Sequence, residues 1–448
     1  MELKGMKVIV IGLGKSGFEL LGFLDRNQVE TVAYDSRDAD CMSGFEKFSD
    51  KISFRFGQNP SGEEECDLVI VSPGISMDLD FMKRFRERDA EIAGEVEFAY
   101  NFAKGKFISI TGTNGKTTST TLTGEIFKAA GFDTRVVGNI GNPVISEVET
   151  STEETVFVAE ISSFQLETIK NFNSRAAAVI NITPDHLDRH ITVENYADVK
   201  SRIFENQTKE DFAIINYDDP AVKKMSGSLK SQIIFFSRKE KLEKGIYIED
   251  GIIKYADSSC TTDIISREEV FLKGGHNLEN VMATIGLCIA AGIDQEVMKR
   301  VLREFRGVEH RLELVDCIDG VEFINDSKGT NTDSSIKALE AYDHDVILIA
   351  GGYDKKAEFG DFVKMFSGRV KHAIFMGATS QKLADACIEN GYTQFSFAQS
   401  MKESVELAKK LARPGDTVLL SPACASWGMY NNFEQRGEDF KNNVRGNV

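Results

Sequence analysis

Between an apolar run and a helix-forming stretch, residues 107–120 read FISITGTNGKTTST. Gly112 and Gly115, followed by Lys116, Thr117 and Thr118, are the materials of a phosphate cradle. Backbone N–H groups of such a turn, those of Thr113 and Asn114 included, line the loop. Lys116 can reach the terminal phosphates of a nucleotide, and the Thr117 hydroxyl suits Mg2+. The longer form of this loop has a further glycine five residues before Gly115, where this chain has Ile110, so the turn is a short variant.

A second glycine turn lies near the start. Gly12, Gly14 and Gly17 follow the apolar run KVIVI, and Asp35 ends the next run. Glycines let the backbone approach a diphosphate, and the helix that follows offers free N–H groups to it. Alone, this spacing suggests a dinucleotide-dependent oxidoreductase. No hydride-transfer constellation follows it, and a tight turn without a ligand is the plain alternative.

Other polar groups gather downstream. Glu160 ends the run TVFVAE, and a carboxylate there is a plausible Mg2+ ligand, although composition alone makes it a solvated acid. NITPDHLDRH (181–190) holds His186, Asp188, Arg189 and His190. Its H-x-D-x-H spacing hints at zinc, but no further His/Cys set accompanies it, and a solvated turn is the simpler reading. Lys200 falls on a predicted helix and by type alone is a surface lysine. Asn277 and Asn280 share a helix face by spacing, with Asn277 also able to cap the helix. Cys424, between two alanines, reads as a small buried side chain rather than a nucleophile.

These groups need elements to hold them. Short apolar runs alternate with helical stretches, which is an α/β pattern. Strands are expected at 7–11, 31–35, 67–71, 107–111, 155–161, 176–182, 321–326, 345–351, 372–377 and 416–422. Helices are expected at 17–26, around 78–88, from 116 to near 131, at 277–291 and at 295–305. The pattern restarts near 94 and 306, which divides the chain at 1–94, 95–306 and 307–448. A length of 448 residues independently suggests about three domains.

Composition narrows the classes. Lys and Arg total 53 against 70 Asp and Glu, a formal charge of −17, which argues against a nucleic-acid partner. The 42% hydrophobic content is too high for wholesale disorder, and no apolar run approaches a membrane span. Seven scattered cysteines without C-x-x-C spacing argue against a disulfide framework. The N-terminal apolar run is too short for a signal peptide, so a cytoplasmic protein is expected.

Taken in order, GTNGKT, EISSFQLE, N-x-T-x-D-H-x-D-R with its following Y-x-x-x-K, GVEHRLELV, NDSKGTN, GGYDKK and SPACAS with F-x-Q-R-G resemble the motifs of the Mur ligases across nearly the whole chain. That family forms amide bonds at the expense of ATP. NDSKGTN points to the branch that adds D-glutamate to UDP-N-acetylmuramoyl-L-alanine, since sister ligases have histidine-containing motifs there. The resemblance implies an α/β, three-domain Mur ligase architecture. A Rossmann-like N-terminal domain would take the UDP-sugar, a central P-loop ATPase-like domain with a mostly parallel sheet would take ATP, and a Rossmann-like C-terminal domain would take the amino acid. Closure of the three would bring the reacting groups together.

The same resemblance implies residue roles. ATP would be held by residues 112–118 with Asn277, Asn280, His310, Arg311 and Asp326. The UDP-sugar would meet Gly14, Lys15, Ser16, Asp35, Ser36, Arg37, Ser72, Pro73, Gly74, Asn139 and His186. D-Glutamate would meet Lys328, Thr330, Ser426, Phe433 and Lys355, with Lys356 as the alternative cation. Two Mg2+ ions would be held by Thr117 and Glu160, and by His186 and a carbamylated Lys200. Lys116, Lys200 and His186 would be catalytic. A monomer is expected. Gly329 stands where alanine is common and suggests a looser loop. Trp427 stands where an aliphatic residue is common.

Overall fold

The computed structural model describes residues 2–272, 274–343, 345–354 and 357–446. It contains three sheets in chain order. The first has five parallel strands, β1 (Lys7–Ile11), β2 (Glu30–Asp35), β3 (Ile52–Phe56), β4 (Leu68–Val71) and β5 (Glu91–Gly94), ordered β3-β2-β1-β4-β5. The apolar runs explain the arrangement. Every residue of β4 and all but the first of β1 are buried, as strands covered on both faces require. The helix Lys15–Arg26 buries Leu20, Leu21, Phe23 and Leu24 along one face. The strand order turns back at β1, which places the Gly12–Gly17 turn and the Ser72–Gly74 loop together at the carboxyl ends of β1 and β4.

The second sheet has nine strands: β6 (Lys106–Thr111), β7 (Asp133–Gly138), β8 (Thr155–Glu160), β9 (Ala176–Val179), β10 (Phe212–Asn216), β11 (Gln232–Ser237), β12 (Gly245–Glu249), β13 (Ile252–Ala256) and β14 (Thr261–Ser266). Their order is β14-β13-β12-β11-β10-β9-β6-β8-β7. β6 lies between β8 and β9, so the phosphate loop, the end of β8 at Glu160 and the segment after β9 share one edge. The third sheet has β15 (Glu313–Ile318), β16 (Val321–Asn325), β17 (Val346–Ala350), β18 (Val370–Met376), β19 (Phe395–Ala398) and β20 (Thr417–Leu420), ordered β15-β16-β20-β17-β18-β19. Only β12–β13, β13–β14 and β15–β16 pair antiparallel among the described strands.

The expected strands and helices are present, with ends shifted by a few residues. The strands β3, β5, β7, β10 to β15 and β19 were not foreseen. β13, β14 and β15 are antiparallel and mix buried with solvated positions, so they lack the continuous apolar runs that mark the parallel core.

By its contacts the chain forms two compact units. One comprises Met1–Glu269 with Glu279–Arg303, and the other Val270–Leu278 with Glu304–Val448. In the first unit, two buried carboxylates of the helix Glu95–Tyr100 clasp the second sheet's connections. Glu97 accepts from the N–H groups of Lys170, Asn171 and Phe172 at 2.9, 2.9 and 3.0 Å. Glu95 accepts from Ile145 N–H at 2.7 Å, and burial pushes its carboxyl up to about 7.

Glu95 therefore binds its proton more tightly in the folded chain than at its ordinary value of 4.5. Its contribution to stability is present below that value and is lost as the pH rises through about 7. The full effect is about 3 kcal/mol. Glu95→Gln should remove this decline from urea-unfolding midpoints measured between pH 4.5 and 8. An unchanged slope would assign the pH dependence elsewhere.

Candidate active site

β6 delivers the chain into the phosphate loop. Gly115, at φ +84°, begins the helix Lys116–Ala129, and a Cβ on it would lie 2.0 Å from Asn280 Oδ1. Asn280, itself buried, thus requires glycine at this position. The loop is braced from the segment after β9. Thr113 N–H donates to Asn181 O at 2.9 Å, Asn114 N–H to Asn181 Oδ1 at 2.8 Å, and Asn181 Nδ2 returns to Asn114 O at 3.1 Å. Thr183 N–H donates to Thr113 Oγ1 at 3.0 Å. The ammonium of Lys116 folds onto the loop, donating to Gly112 O at 3.0 Å and Thr113 O at 2.8 Å. Thr117 and Thr118 are buried in the first helical turn.

Lys200 meets the same loop from behind. The helix Val193–Ser201 carries it inward until it is 1% exposed, which overturns the bland reading of a surface lysine. Its Nζ donates to Gly112 O at 2.8 Å and Thr111 Oγ1 at 3.2 Å, over the Tyr196 ring at 4.7 Å. Burial, with the Lys116 charge adding to it, pushes its amine well below the ordinary lysine value. Thr111 was missed in the sequence, where it is simply the last residue of an apolar run.

Glu160, at the end of β8, is 1% exposed. Its Oε1 accepts from Asn139 Nδ2 at 2.7 Å, while Oε2 has no hydrogen-bond partner among the described residues. A buried carboxylate oxygen left in this state is rare unless something else takes it. With the Thr117 hydroxyl, it makes a set of hard oxygen donors of the kind Mg2+ prefers. The residues therefore fit the ion the sequence implied.

The two histidines of 181–190 divide. His186 is in the left-handed region at φ 52°, exposed, edge-on to Phe164 and 3.7 Å from Asp185 Oδ2. His190 is buried, its Nε2 3.0 Å from Ser163 Oγ, and desolvation lowers its basicity. Arg189 between them was missed as a positioning residue. It pairs with both oxygens of Glu167, lies 4.8 Å over Phe164 and donates to Ile75 O at 2.9 Å and Pro73 O at 3.5 Å. It thereby steadies the loop that carries Ser72, Pro73 and Gly74.

At the first glycine turn, Asp35 is fully occupied. Oδ2 accepts from Leu13 N–H at 2.8 Å and Arg37 Nη2 at 2.9 Å, and Oδ1 from Arg37 N–H and Nε, both at 2.9 Å. The Arg37 hydrogen bonds hold its carboxyl at about 2. All four lone-pair sites of the carboxylate are used, so Asp35 bolts the turn shut. Gly17 would bring a Cβ to 2.3 Å from Gly12 O, and Gly12 is at φ +91°. Gly14 and Ser36 are exposed and Ser16 half-buried, while Lys15 donates to Gly141 O at 2.8 Å.

In the second unit, Asn277 is buried. Asp326 is buried, accepts from Ser421 Oγ at 2.8 Å and is raised to about 6 by burial despite the Arg311 charge. His310 Nδ1 lies 3.0 Å from Asn325 Nδ2, and Lys328 N–H donates to His310 O at 3.0 Å. Lys328 Nζ stands 5.5 Å from the Phe433 ring centre, Ser426 is buried and Thr330 is half-buried. Lys355 and Lys356 lie outside the described residues. Arg436, 2% exposed and also missed, donates to Ser327 O at 2.7 Å, Ser327 Oγ at 2.9 Å and Cys424 O at 3.0 Å. It ties the NDSKG loop to the SPACAS loop. Cys424 is buried, as expected, with its Sγ 3.3 Å from Thr379 Oγ1. Gly329 does not loosen its loop: a Cβ there would sit 2.6 Å from Asp326 Oδ2.

Three family models match the chain: "Mur ligase MurD-like, N-terminal domain" over 6–94, "Mur ligase middle domain" over 110–288 and "Mur ligase, glutamate ligase domain" over 310–424. The chain is 48% identical to a curated UDP-N-acetylmuramoylalanine--D-glutamate ligase of Thermoanaerobacter sp. (strain X514), with 99% of each covered. It is 44% identical to the protein of that name from Clostridioides difficile (strain 630), again with 99% of each covered. Among solved structures, a UDP-N-acetylmuramate-alanine ligase from Thermotoga maritima shares the fold at TM-score 0.61 and 18% identity, covering 99% of this chain and 100% of that one.

The Asp35 bolt predicts a pH-dependent loss. Asp35→Ala should lower the unfolding free energy by about 2 kcal/mol at pH 7. The wild-type contribution is present above the ordinary value of 3.8 and fades as the pH falls toward about 2. The gap between the two proteins should therefore narrow in urea unfolding at pH 2.5. An equal gap at both pH values would refute the assignment.

Proposed function

The chain belongs to the Mur ligase family, and on that premise we propose how its residues divide the work of joining D-glutamate to UDP-N-acetylmuramoyl-L-alanine with ATP. A carboxylate resists nucleophiles because it is already negative. Transfer of the γ-phosphoryl group of ATP to the L-alanine carboxylate gives an acyl phosphate with a good leaving group. The amine of D-glutamate attacks it, and the tetrahedral intermediate collapses to the amide and phosphate, leaving ADP.

The observation that carries this reading is the loop at Gly112, where Lys116 and the buried Lys200 converge on one carbonyl while the buried Glu160 Oε2 has no hydrogen-bond partner among the described residues. Lys116 would turn from the loop carbonyls to the β- and γ-phosphates as these arrive, and the loop at residues 112–118 would hold them. Asn277, Asn280, His310, Arg311 and Asp326 would take the rest of the nucleotide. Mg2+, when bound, supplies charge neutralisation and orientation at the transferring phosphoryl group. Thr117, Glu160, His186 and Lys200 are the residues that would hold two such ions. Lys200 would do so as a carbamate. Its enclosure by a carbonyl, a hydroxyl and the Tyr196 ring, with no carboxylate in hydrogen-bond contact among the described residues, favours a neutral amine over a buried cation. The neutral amine is the form that adds carbon dioxide.

The nucleotide sugar would lie on the first glycine turn, at Gly14, Lys15, Ser16, Ser36, Arg37, the Ser72–Gly74 loop, Asn139 and His186. Asp35 would act by holding that turn's shape. D-Glutamate would meet Lys328, Thr330, Ser426, Phe433 and Lys355 or Lys356. Three domains at 1–94, 95–306 and 307–448 are supported by the separate matches at 6–94, 110–288 and 310–424. No helix among the described residues is long and apolar enough to cross a membrane. We take the protein to act as a monomer in the cytoplasm, where ATP and nucleotide sugars are available.

The direct test is amide formation with UDP-N-acetylmuramoyl-L-alanine, ATP, Mg2+ and either enantiomer of glutamate. D-Glutamate should give product and ADP together. Equal rates with L-glutamate, or product with another amino acid in preference, would reject this substrate assignment.

The carbamate has its own test. Lys200→Ala should lose activity by at least ~100-fold, as expected on losing a group that stabilises the transition state. A small added carboxylate should restore part of it. An active Lys200→Ala protein, or one with no rescue by formate or acetate, would remove the carbamate from the scheme.

A further inference from the structure

We infer that Asn139 is a positioning residue for Glu160, holding one carboxylate oxygen so that the other is left to a divalent cation. The inference rests on the proposed reading of Glu160 as a metal ligand, and adds the group that aims it.

The two oxygens of Glu160 are in different situations. Oε1 accepts the Asn139 side-chain amide at 2.7 Å. Oε2 is equally enclosed and accepts from nothing among the described residues. A carboxylate free to turn about its last bond would exchange these roles. The Asn139 hydrogen bond selects one orientation and leaves the same oxygen bare each time.

Asn139 is itself gripped by the residue it orients. Its backbone N–H donates to Glu160 O at 2.9 Å. The preceding Gly138, at φ +102°, approaches so closely that a Cβ would sit 2.3 Å from that oxygen. The turn then closes through Gly138 N–H to Asn142 O at 2.9 Å. Backbone and side chain of Asn139 are therefore both registered to Glu160, which fixes the amide more firmly than an exposed asparagine would otherwise be held.

The residue type also suits the task. An amide donates without carrying charge. A lysine or arginine at 139 would neutralise Glu160 and compete with a cation, and an aspartate would present a second acceptor to Oε1. The far end of the same turn meets the first glycine turn, where Lys15 Nζ donates to Gly141 O at 2.8 Å. Residues 138–142 thus connect the segment proposed to hold the nucleotide sugar with the side chain proposed to hold metal. A ligand contact and a positioning role for Asn139 make different predictions, because only the second acts when no nucleotide sugar is present.

The test uses Mn2+ as the probe, titrated into the full chain saturated with ADP, without nucleotide sugar, and followed by electron paramagnetic resonance. Thermal unfolding of each variant checks that it folds. Asn139→Ala should weaken Mn2+ binding ~10-fold or more, the usual result of losing a group that orients a metal ligand. Asn139→Asp keeps the shape, removes the donor and should show at least the same loss. Raising Mg2+ should restore kcat of Asn139→Ala more than that of Glu160→Gln. If Glu160→Gln weakens Mn2+ binding and Asn139→Ala does not, the positioning role is wrong and the metal reading stands. If neither weakens it, both fall. A raised KM for the nucleotide sugar in Asn139→Ala with unchanged Mn2+ affinity would make Asn139 a ligand contact only and overturn the proposal.

Discussion

The carbonyl of Gly112 accepts from two lysines at once, at 3.0 and 2.8 Å, and much of the first unit is arranged so that it can. Two ammonium groups on one acceptor repel each other, and one of them is almost fully buried. A neutral Lys200 relieves that repulsion. The arrangement needs β6 to end between β8 and β9, the helix Lys116–Ala129 to leave at once, and the helix Val193–Ser201 to send Lys200 inward beneath the loop. Glycine at 112 and 115 follows from this crowding. At Gly115 there is no room for a side chain beside Asn280, and Gly112 stands at φ +152°.

Carboxylates carry the complementary half of the design. The chain has 70 of them against 53 lysines and arginines, so their use matters more than their number. Asp35, with four N–H donors, and Glu97, with three, hold chain segments together. Glu95 is buried against a short helical turn. Glu160 differs from all three in having one buried oxygen that no group among the described residues takes. That contrast sets Glu160 apart from the acids that hold chain segments, and charge or sequence context alone does not supply it. The acidic total and an affinity for phosphates are compatible because cations and helix N-termini are concentrated where the loops turn.

Much of the parallel cores was legible in the sequence because strands buried on both faces read as unbroken apolar runs, as in LVIV and VILIA, although the comparably buried FAIIN of β10 was passed over. The antiparallel additions, β13 to β15, were not, because their half-solvated alternation resembles loop composition. Both glycine turns were legible from glycine spacing, and the ligase motifs added roles that spacing could not. What stayed hidden were side chains acting on backbone. Arg189 steadies the Ser72–Ile75 loop and Arg436 joins Ser327 to Cys424, yet in sequence each is an arginine among polar neighbours. Lys200 is the sharpest case. Its helix has no strong apolar face to announce that a lysine points inward, and only the tertiary path of residues 193–201 buries it.

The two glycine turns also show why one motif misled when read alone. Both place glycines between a parallel strand and a helix. In the first, the acid at the end of the next strand could have been a ribose ligand, as in dinucleotide-binding folds. Here its four acceptor sites are filled by Leu13 and Arg37, so it has none left for a hydroxyl. In the second, Lys116 is folded onto the loop's own carbonyls, which are weaker partners than phosphate oxygens. An arriving phosphate can therefore displace those contacts, while a hydroxyl approaching Asp35 would have to break an ion pair. Occupancy of the lone pairs, more than the glycine pattern, decides which groups of each turn hold its shape and which can exchange for a ligand.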